Sequence, residues 1–347
     1  MAPETAVKPA VEAQAVWFSA PSLAEIQAET VLAPGPGEVR VRAVASAISA
    51  GTEMLVYLGR VPPETALDLP TLSGSFGFPI KYGYSAVGRI LDAGPDVETL
   101  APGDPVFVHH PHQSVFVAPA DMAVRLPDEI DPPLGVFVAN LETALNIVHD
   151  TPLKLGETAV VFGQGVVGFL VGRLLKMAGA RVLVVEPLEK RRGLAAAGVD
   201  GVFEPGEGLV DSISEATDGR GADVAIEAGG SSDSLQAAID CVTDEGTVVA
   251  ASWYGTKPVE LFLGGHFHRG RVKVVSSQVG RLNPGLTPRW DWERRMASVL
   301  GLLVDHRLQL EYLISHRFQF SDAPAAYRLI DEHPEETIQV ILTYDES

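Results

Sequence analysis

Residues 158–186 read TAVVFGQGVVGFLVGRLLKMAGARVLVVE. An apolar strand pattern leads into Gly163, Gly165 and Gly168, spaced as G-x-G-x-x-G, and an amphipathic helix and a second apolar strand follow. The first glycine permits a tight turn, the second lets the backbone approach a pyrophosphate, and the third lets the helix pack closely on the strand. The stretch therefore predicts a dinucleotide-binding unit built as strand, turn, helix and strand.

Glu186 stands at the end of the second strand of this unit. Its carboxylate can accept hydrogen bonds from both hydroxyls of an adenosine ribose and would repel a 2′-phosphate, so we expect NAD as the cofactor. NADP is the alternative, because Lys190, Arg191 and Arg192 follow closely and could meet a 2′-phosphate. A structural turn with a surface glutamate is the non-functional interpretation of the same residues.

Around this unit, apolar strands alternate with helices from residue 150 to 280, and RVKVVSSQVG (271–280) holds a sixth strand. This alternation predicts an α/β doubly wound domain, with a parallel sheet covered on both faces. Residues 1–149 contain short β-rich runs broken by glycine and proline, which predict a compact, mostly antiparallel β-domain. Residues 281–347 are expected to pack back on that domain, and residues 1–15 to form a loose tail.

Composition narrows the possible partners. Lys plus Arg number 26 against 45 Asp plus Glu, a formal net charge of −19, which disfavours nucleic acid and anionic membrane surfaces. No uncharged apolar run approaches the ~20 residues of a membrane span. The single cysteine, Cys241, cannot form an internal disulfide and is expected to be a small buried side chain. We therefore expect a soluble, cytoplasmic protein that acts on a small molecule.

The chain resembles the medium-chain dehydrogenase/reductase superfamily. The resemblance is carried by PGPGEVRVRAVASAISAGTE (34–53), YGYSAVGRI (82–90), ETALNIV (142–148) and GADVAIEAGG (221–230), together with the glycine fingerprint. It implies a GroES-like β-barrel catalytic domain at 1–149, a Rossmann NAD(P)-binding domain at 150–280, and a return segment at 281–347 that completes the catalytic domain. It also implies a homodimer formed through the last Rossmann strand.

This sequence departs from the zinc-dependent branch of the family at every metal position. The three ligand positions of the catalytic zinc fall on Ala50, Tyr84 and Ala139, and the four-cysteine structural zinc lobe is absent. Alanine cannot bind a metal, and neutral tyrosine is a poor zinc ligand. The resemblance therefore implies a zinc-lacking branch with no metal. The run His109-His110-Pro111-His112 keeps three interpretations open: a metal site, a substrate contact by His112 at the cleft mouth, or ordinary loop residues.

Without zinc, hydrogen-bond donors must polarise the substrate oxygen and move its proton. The resemblance puts Thr52 at the position of the proton-relay hydroxyl and Glu53 at that of the neighbouring acid. Tyr84 would point into the cleft, where its phenol could donate to a carbonyl; the alternative is a space-filler. The catalytic candidates are thus Thr52, Glu53, Tyr84 and His112.

The remaining cofactor contacts also come from the resemblance. Thr143 matches the threonine beside the nicotinamide, Ala228 and Gly229 run along the cofactor, and Ser252 and Trp253 lie near the nicotinamide end. The predicted cofactor-binding residues are Thr143, Gly163, Gly165, Val166, Val167, Gly168, Glu186, Arg191, Ala228, Gly229, Ser252 and Trp253.

PRWDWERR (288–295) also has two interpretations. Trp290, Arg294 and Arg295 could bind an anionic or aromatic substrate, or the stretch is an ordinary helix start that Thr287 caps.

These observations predict a zinc-independent NAD(H)-linked oxidoreductase that interconverts an alcohol and a carbonyl by hydride transfer. One alternative is an NADPH-dependent quinone or enoyl reductase of the zinc-free branch, against which Glu186 speaks. The other is a non-catalytic nucleotide-binding protein, which would bind the cofactor without turnover.

Overall fold

The structure is a computed structural model that describes residues 9–67 and 71–345. The strands of the described residues are β1 (Val11–Ala20), β2 (Leu23–Val31), β3 (Glu38–Ile48), β4 (Ala86–Ala93), β5 (Pro105–Val108), β6 (Val115–Pro119), β7 (Val124–Arg125), β8 (Thr158–Phe162), β9 (Arg181–Val185), β10 (Gly201–Phe203), β11 (Ala222–Glu227), β12 (Val242–Ala250), β13 (Lys273–Ser276), β14 (Ile314–Gln319) and β15 (Gln339–Thr343). The helices are α1 (Thr52–Tyr57), α2 (Val138–Asp150), α3 (Val166–Met177), α4 (Glu189–Ala196), α5 (Leu209–Ala216), α6 (Ser232–Cys241), α7 (His266–Arg269), α8 (Trp292–Leu303) and α9 (Ala323–Glu332). Among the described residues, none of these helices is long and apolar enough to cross a membrane.

The chain divides into two compact units with boundaries that differ from the predicted 1–149, 150–280 and 281–347. The first unit comprises residues 1–139 and 303–347, and the second comprises residues 140–302. Helix α8, predicted in the return segment, thus belongs almost wholly to the second unit. The physical reason is a buried ion pair between Arg295 on α8 and Glu142 on α2.

The second unit is the predicted doubly wound domain. Its six strands form a parallel sheet in the order β10-β9-β8-β11-β12-β13. Every residue of β8 is buried, as expected for a central strand between two layers of helices. After β8, strands β9 and β10 are added on one side of β8, and β11 then pairs with its opposite side. The carboxyl ends of β8 and β11 therefore flank the switch point where doubly wound domains bind dinucleotides.

The first unit is built on a mixed sheet in the order β14-β15-β3-β4-β5-β7, with β6 also pairing with β3. Strand β3 runs antiparallel to β4, β6 and β15, so residues from both ends of the chain share one sheet. Residues 303–347, which form part of the predicted return segment, belong to this unit.

The prediction of a loose tail over residues 1–15 is wrong from residue 11 onward; residues 1–8 lie outside the described residues. Strand β1 begins at Val11 and pairs antiparallel with β2 in a hairpin. Ala13 and Ala15 are buried while their neighbours Glu12 and Gln14 are exposed. The small apolar residues therefore alternate with polar ones as a half-buried strand requires.

Candidate active site

Glu53 is the centre of a buried polar cluster in the first unit. It lies in the first turn of α1 and is fully buried. Its Oε2 accepts a hydrogen bond from the Tyr327 hydroxyl at 2.9 Å and lies 2.9 Å from His112 Nε2. Its Oε1 accepts from the Ser49 backbone N–H at 3.1 Å. A carboxylate removed from water needs such partners, and the cluster supplies three of them.

The cluster continues beyond His112, which corrects one prediction. His112 Nδ1 lies 2.7 Å from Ser46 Oγ, and that hydroxyl lies 2.9 Å from the Tyr344 hydroxyl. One of the three interpretations placed His112 at the cleft mouth as a substrate contact, yet its side chain is fully buried. The histidine therefore cannot contact a substrate from this position. The structure brings His112 together with Glu53, but as a buried partner of that carboxylate.

Tyr84 is only partly buried and belongs to the same neighbourhood. The side chains of Ser49 and Thr52 lie close to its phenol. Burial and, to a smaller extent, the nearby charge of Glu53 raise the pKa of Tyr84 to about 12, although the Ser49 and Thr52 side chains oppose the rise. The phenol therefore keeps its proton across the physiological range and is suited to donate a hydrogen bond. The structure brings Thr52, Glu53 and Tyr84 together in the first unit.

The residues at the zinc-ligand positions do not fit a zinc ion. Ala50 is exposed, Ala139 is buried, and neither carries a donor atom; Tyr84 is a protonated phenol. In the part of the chain that the structure describes, one set of three side chains has metal-ligand spacing, namely the exposed His333, Glu335 and Glu336. Exposed acidic groups of this kind are common without a metal.

The histidine run does not converge on one point. His110 stacks on Phe116 with ring centroids 3.9 Å apart, whereas His112 faces Glu53. His109 Nδ1 lies 3.0 Å from the backbone oxygen of Tyr84. The three rings therefore have three different environments, and the metal interpretation of this run loses its support.

In the second unit, the glycine fingerprint lies between β8 and α3 as predicted. Gly163 has φ +88°, a conformation that favours glycine. A Cβ on Gly168 would lie 2.0 Å from the Gly163 oxygen, so no side chain fits there, whereas a Cβ on Gly165 would meet nothing within 4 Å. Gly165 is the N-cap residue of α3 and has no side chain that could cap the helix. The first N–H groups of α3, from Val166 onward, can thus face an anion such as a pyrophosphate.

Glu186 has a structural task that the sequence did not reveal. Only 2% of the residue is exposed. Its Oε2 accepts from the Gln164 backbone N–H at 2.6 Å, and its Oε1 accepts from the Leu188 backbone N–H at 2.9 Å. The carboxylate therefore ties the fingerprint loop to the turn after β9. Each oxygen retains a further lone pair for another donor.

Glu227 is a further fully buried carboxylate at this edge of the sheet, and sequence reasoning missed it. Its Oε1 accepts from the backbone N–H groups of Gly229 and Gly230 at 2.8 and 2.7 Å, and its Oε2 accepts from the Tyr254 hydroxyl at 2.7 Å. Burial and this carboxylate raise the pKa of Tyr254. The available signal was the acid at the end of the apolar stretch VAIE (224–227).

The other predicted cofactor residues occupy the same edge of the second unit or α2. A Cβ on Gly163 would lie 2.8 Å from the Ala228 oxygen, so the loop after β11 packs directly on the fingerprint. Ser252 Oγ donates to the Glu227 backbone oxygen at 3.5 Å. Trp253 is partly exposed, Thr143 lies on α2, and Arg191 lies on α4.

The substrate interpretation of Arg295 is wrong, because its guanidinium is 1% exposed and paired with Glu142. Arg294 is exposed, with its guanidinium 4.3 Å from the centre of the Trp290 ring. Asp291 caps α8, since its Oδ1 accepts from the Arg294 backbone N–H at 2.8 Å. The expected cap, Thr287, instead donates to the Pro284 oxygen.

Known proteins resemble this chain along most of its length. Residues 166–298 match a family described as zinc-binding dehydrogenase. D-guloside 3-dehydrogenase of Escherichia coli K12 is 30% identical over 272 residues, which cover 76% of this chain and 77% of that protein. The 2-desacetyl-2-hydroxyethyl bacteriochlorophyllide A dehydrogenase of Cereibacter sphaeroides is 28% identical over 344 residues, covering 92% and 95%.

The fold is also found among solved structures. An alcohol dehydrogenase of Escherichia coli CFT073, solved in complex with NADH, superposes with a TM-score of 0.77 at 20% identity. The match covers 96% of this chain and 99% of that one. At this identity the likeness shows the architecture, a GroES-like domain joined to a Rossmann domain.

Proposed function

Because the chain belongs to the medium-chain dehydrogenase/reductase family, whose members matched here are dehydrogenases, we propose that it is a zinc-independent NAD(H)-linked enzyme that interconverts an alcohol and a carbonyl. The observation that carries the proposal is the donor set at the family's zinc position. There, two alanines and the protonated phenol of Tyr84 replace metal ligands. A hydrogen-bond donor thus takes the place of a Lewis acid.

The nicotinamide ring supplies the chemistry by accepting or delivering the hydride. The residues of the chain have the tasks of orientation and proton handling. Tyr84 donates its phenolic hydrogen bond to the substrate oxygen, which stabilises the negative charge that develops there during carbonyl reduction. Thr52, whose side chain lies close to the phenol, takes the position of the family's proton-relay hydroxyl. The nearby charge of Glu53 opposes loss of the phenolic proton, which keeps Tyr84 a donor rather than a base.

The fingerprint loop supports binding of a nicotinamide dinucleotide in the second unit. Uncapped N–H groups at the start of α3 suit the pyrophosphate, and Gly165 leaves room for it. Glu186 retains acceptor capacity for the adenosine ribose and supports NAD. Two backbone hydrogen bonds to Glu186 already use part of this capacity, which weakens the argument for NAD. The second candidate is therefore an NADP-linked enzyme that reduces quinones or activated alkenes.

The test combines cofactor binding, metal content and turnover. We would titrate the purified protein with NADH and NADPH, measure zinc by elemental analysis, and assay alcohols and ketones with a chelator present. Preference for NADH, no stoichiometric zinc and chelator-resistant turnover are expected. One zinc per chain would contradict zinc independence. Preference for NADPH would direct the substrate search to quinones, and binding without any turnover would indicate a non-catalytic nucleotide-binding protein.

A variant of the proposed ribose ligand sharpens the cofactor test. Glu186→Ala is expected to weaken NADH binding and relax the selectivity against NADPH. Since the same change frees the Gln164 and Leu188 N–H groups, its thermal stability is measured alongside. Unchanged binding of both dinucleotides would mean that the acid serves only the loop.

The edge strand β13 supports a homodimer. It closes one side of the parallel sheet, and all four of its residues are exposed, with Val274 and Val275 at 40% and 39%. An exposed apolar edge is normally covered by a partner. A second copy pairing its own β13 would cover it. Sedimentation of the wild type against Val274→Lys tests this, with a shift of the variant to monomer expected and an unchanged mass contradicting it.

A further inference from the structure

Arg295 joins three segments of the second unit that are far apart in sequence. Its guanidinium lies 4.1 Å from the centre of the Trp292 ring on the same helix and pairs with Glu142 on α2. One terminal nitrogen donates to Asn146 Oδ1 at 2.9 Å and to the backbone oxygen of Val279 at 2.8 Å. A buried cation is costly unless such partners satisfy it. The cluster therefore fixes α8, α2 and the loop after β13 to one another.

The loop of residues 277–279 is held along α2 by a second set of contacts. Ser277 Oγ donates to Asp150 Oδ2 at 2.7 Å, and the Asn146 amide donates to the Gln278 backbone oxygen at 3.3 Å. Glu142, Asn146 and Asp150 follow one another at intervals of four residues and so share one face of the helix. This polar face of α2 is directed at the loop.

The loop lies at the edge of the sheet where the cofactor is proposed to bind. All six strands are parallel, so residues 277–279 after β13 are at the same edge as the fingerprint after β8 and the Glu227 loop after β11. Under the proposed function, Glu186, which follows β9 on one side of β8, would hold the adenosine half. The residues after β11 to β13, on the other side of β8, would then hold the nicotinamide half. Thr143, expected beside the nicotinamide, directly follows Glu142 on α2.

We propose that Arg295 is a positioning residue: together with Glu142 it fixes loop 277–279 against α2 and thereby orients the nicotinamide half of the bound cofactor. The inference rests on the proposed dinucleotide binding and adds the residues that shape its reactive end. It also gives PRWDWERR (288–295) a task that neither the substrate interpretation nor an ordinary helix start provides.

The test compares NADH with ADP-ribose, which shares the adenosine and pyrophosphate but lacks the nicotinamide. Arg295→Lys keeps a cation beside Glu142 but loses the planar fork that reaches two segments at once. We expect the dissociation constant of NADH to rise about tenfold and that of ADP-ribose to stay within about twofold. Calorimetric titration of the full-length protein measures both. Arg294→Lys, an exposed neighbour on the same helix, is the matched control and should change neither constant.

A second variant keeps the test independent of the buried ion pair. Ser277→Ala removes the hydroxyl that ties the loop to Asp150 and leaves Arg295 with Glu142, so it serves if Arg295→Lys fails to fold. It should raise the dissociation constant of NADH about threefold and leave that of ADP-ribose unchanged.

If these variants weaken the binding of NADH and ADP-ribose equally, or do not change the binding of NADH, the positioning role is overturned. The proposed cofactor binding would still stand. A wild-type protein that binds neither ligand would overturn the proposed function itself, and the positioning role with it.

Discussion

Among the described residues, each unit of this protein has one carboxylate with no exposed surface, and the two are held in different ways. Glu227 in the second unit accepts two backbone N–H groups and one phenol, all within 28 residues of chain. Glu53 in the first unit accepts one backbone N–H group, and its other contacts are the side chains of His112 and Tyr327, 59 and 274 residues away.

The difference separates a carboxylate that shapes a loop from one that can take part in chemistry. Backbone N–H groups do not titrate, so two of the three donors around Glu227 can only fix the positions of Gly229 and Gly230. Both carboxylates accept from a phenol, but only Glu53 also has an imidazole partner, His112, and an imidazole can exchange protons. Glu53 therefore belongs to a cluster able to respond to the reaction proposed at Tyr84, whereas Glu227 belongs to the frame of the proposed cofactor site.

The largest effect is expected from Glu227→Ala. The change leaves the N–H groups of Gly229 and Gly230 and the Tyr254 hydroxyl without their acceptor. We expect the free energy of unfolding to fall by about 3 kcal/mol, because buried donors to a charged acceptor are expensive to leave unpaired. Urea unfolding measures it. A loss below that of the surface variant Glu311→Ala would show that the loop holds its shape without the acid.

Tyr84→Phe tests the chemical side of the comparison. If the phenol polarises the substrate, turnover of the best alcohol found by screening should fall about 100-fold, the usual scale for one acid–base group. Thermal stability should change little, because Tyr84 is only partly buried. Tyr312→Phe, which removes an exposed hydroxyl, is the control. Equal kinetics of Tyr84→Phe and wild type would make Tyr84 a space-filler.

A matched pair of phenols compares the two carboxylates directly. Tyr327→Phe and Tyr254→Phe each remove one hydroxyl donor, from Glu53 and from Glu227. We expect losses in unfolding free energy of about 2 and about 1 kcal/mol. The first is larger because Tyr327 is fully buried, so water cannot replace its hydroxyl. The reverse order in chemical denaturation would contradict the distinction between the two clusters.

The smallest effect is expected from the buried His110 of the first unit. Burial against Phe116 lowers the pKa of His110 from 6.5 to about 3. Below pH 6.5 the unfolded chain therefore takes up a proton that the folded chain refuses, and stability falls as the pH drops towards 3. Between pH 7.5 and pH 5.5 the free energy of unfolding should therefore fall by about 1 kcal/mol. The variant His110→Phe should abolish this loss.

The control for this prediction is His306→Gln, which replaces an exposed histidine and should retain the full loss. Identical pH dependence of His110→Phe and wild type in urea unfolding would show that the buried ring accepts a proton in the folded state.

Local patterns in this chain are predictable, and long-range pairings are not. The fingerprint can be recognised because Gly163, Gly165 and Gly168 act within one turn and one helix start. Strand alternation likewise predicts the six-stranded sheet. The pair between Arg295 and Glu142 joins residues 153 positions apart, and nothing in either local sequence points to the other.

The same limit explains the errors made for individual residues. His112 looks like a loop residue because its neighbours are polar or proline, but its burial depends on Glu53 and Ser46 from other elements. Glu186 is at the predicted position, yet its two hydrogen bonds follow from how the loop and the next turn fold back on it. Burial is a property of the assembled fold, so a sequence window cannot report it.

The pairing of β15 with β3 has a consequence for how this protein is made on the ribosome. Val340 lies opposite Ile48, so β3 keeps one open side until β15 has been synthesised, after all residues of the second unit. The strands of the parallel sheet all lie within residues 140–302 and can pair earlier. The cofactor-binding unit can therefore fold first during translation, and the first unit can close only afterwards. Cells that translate this message slowly should accumulate a half-finished protein that already binds nucleotide.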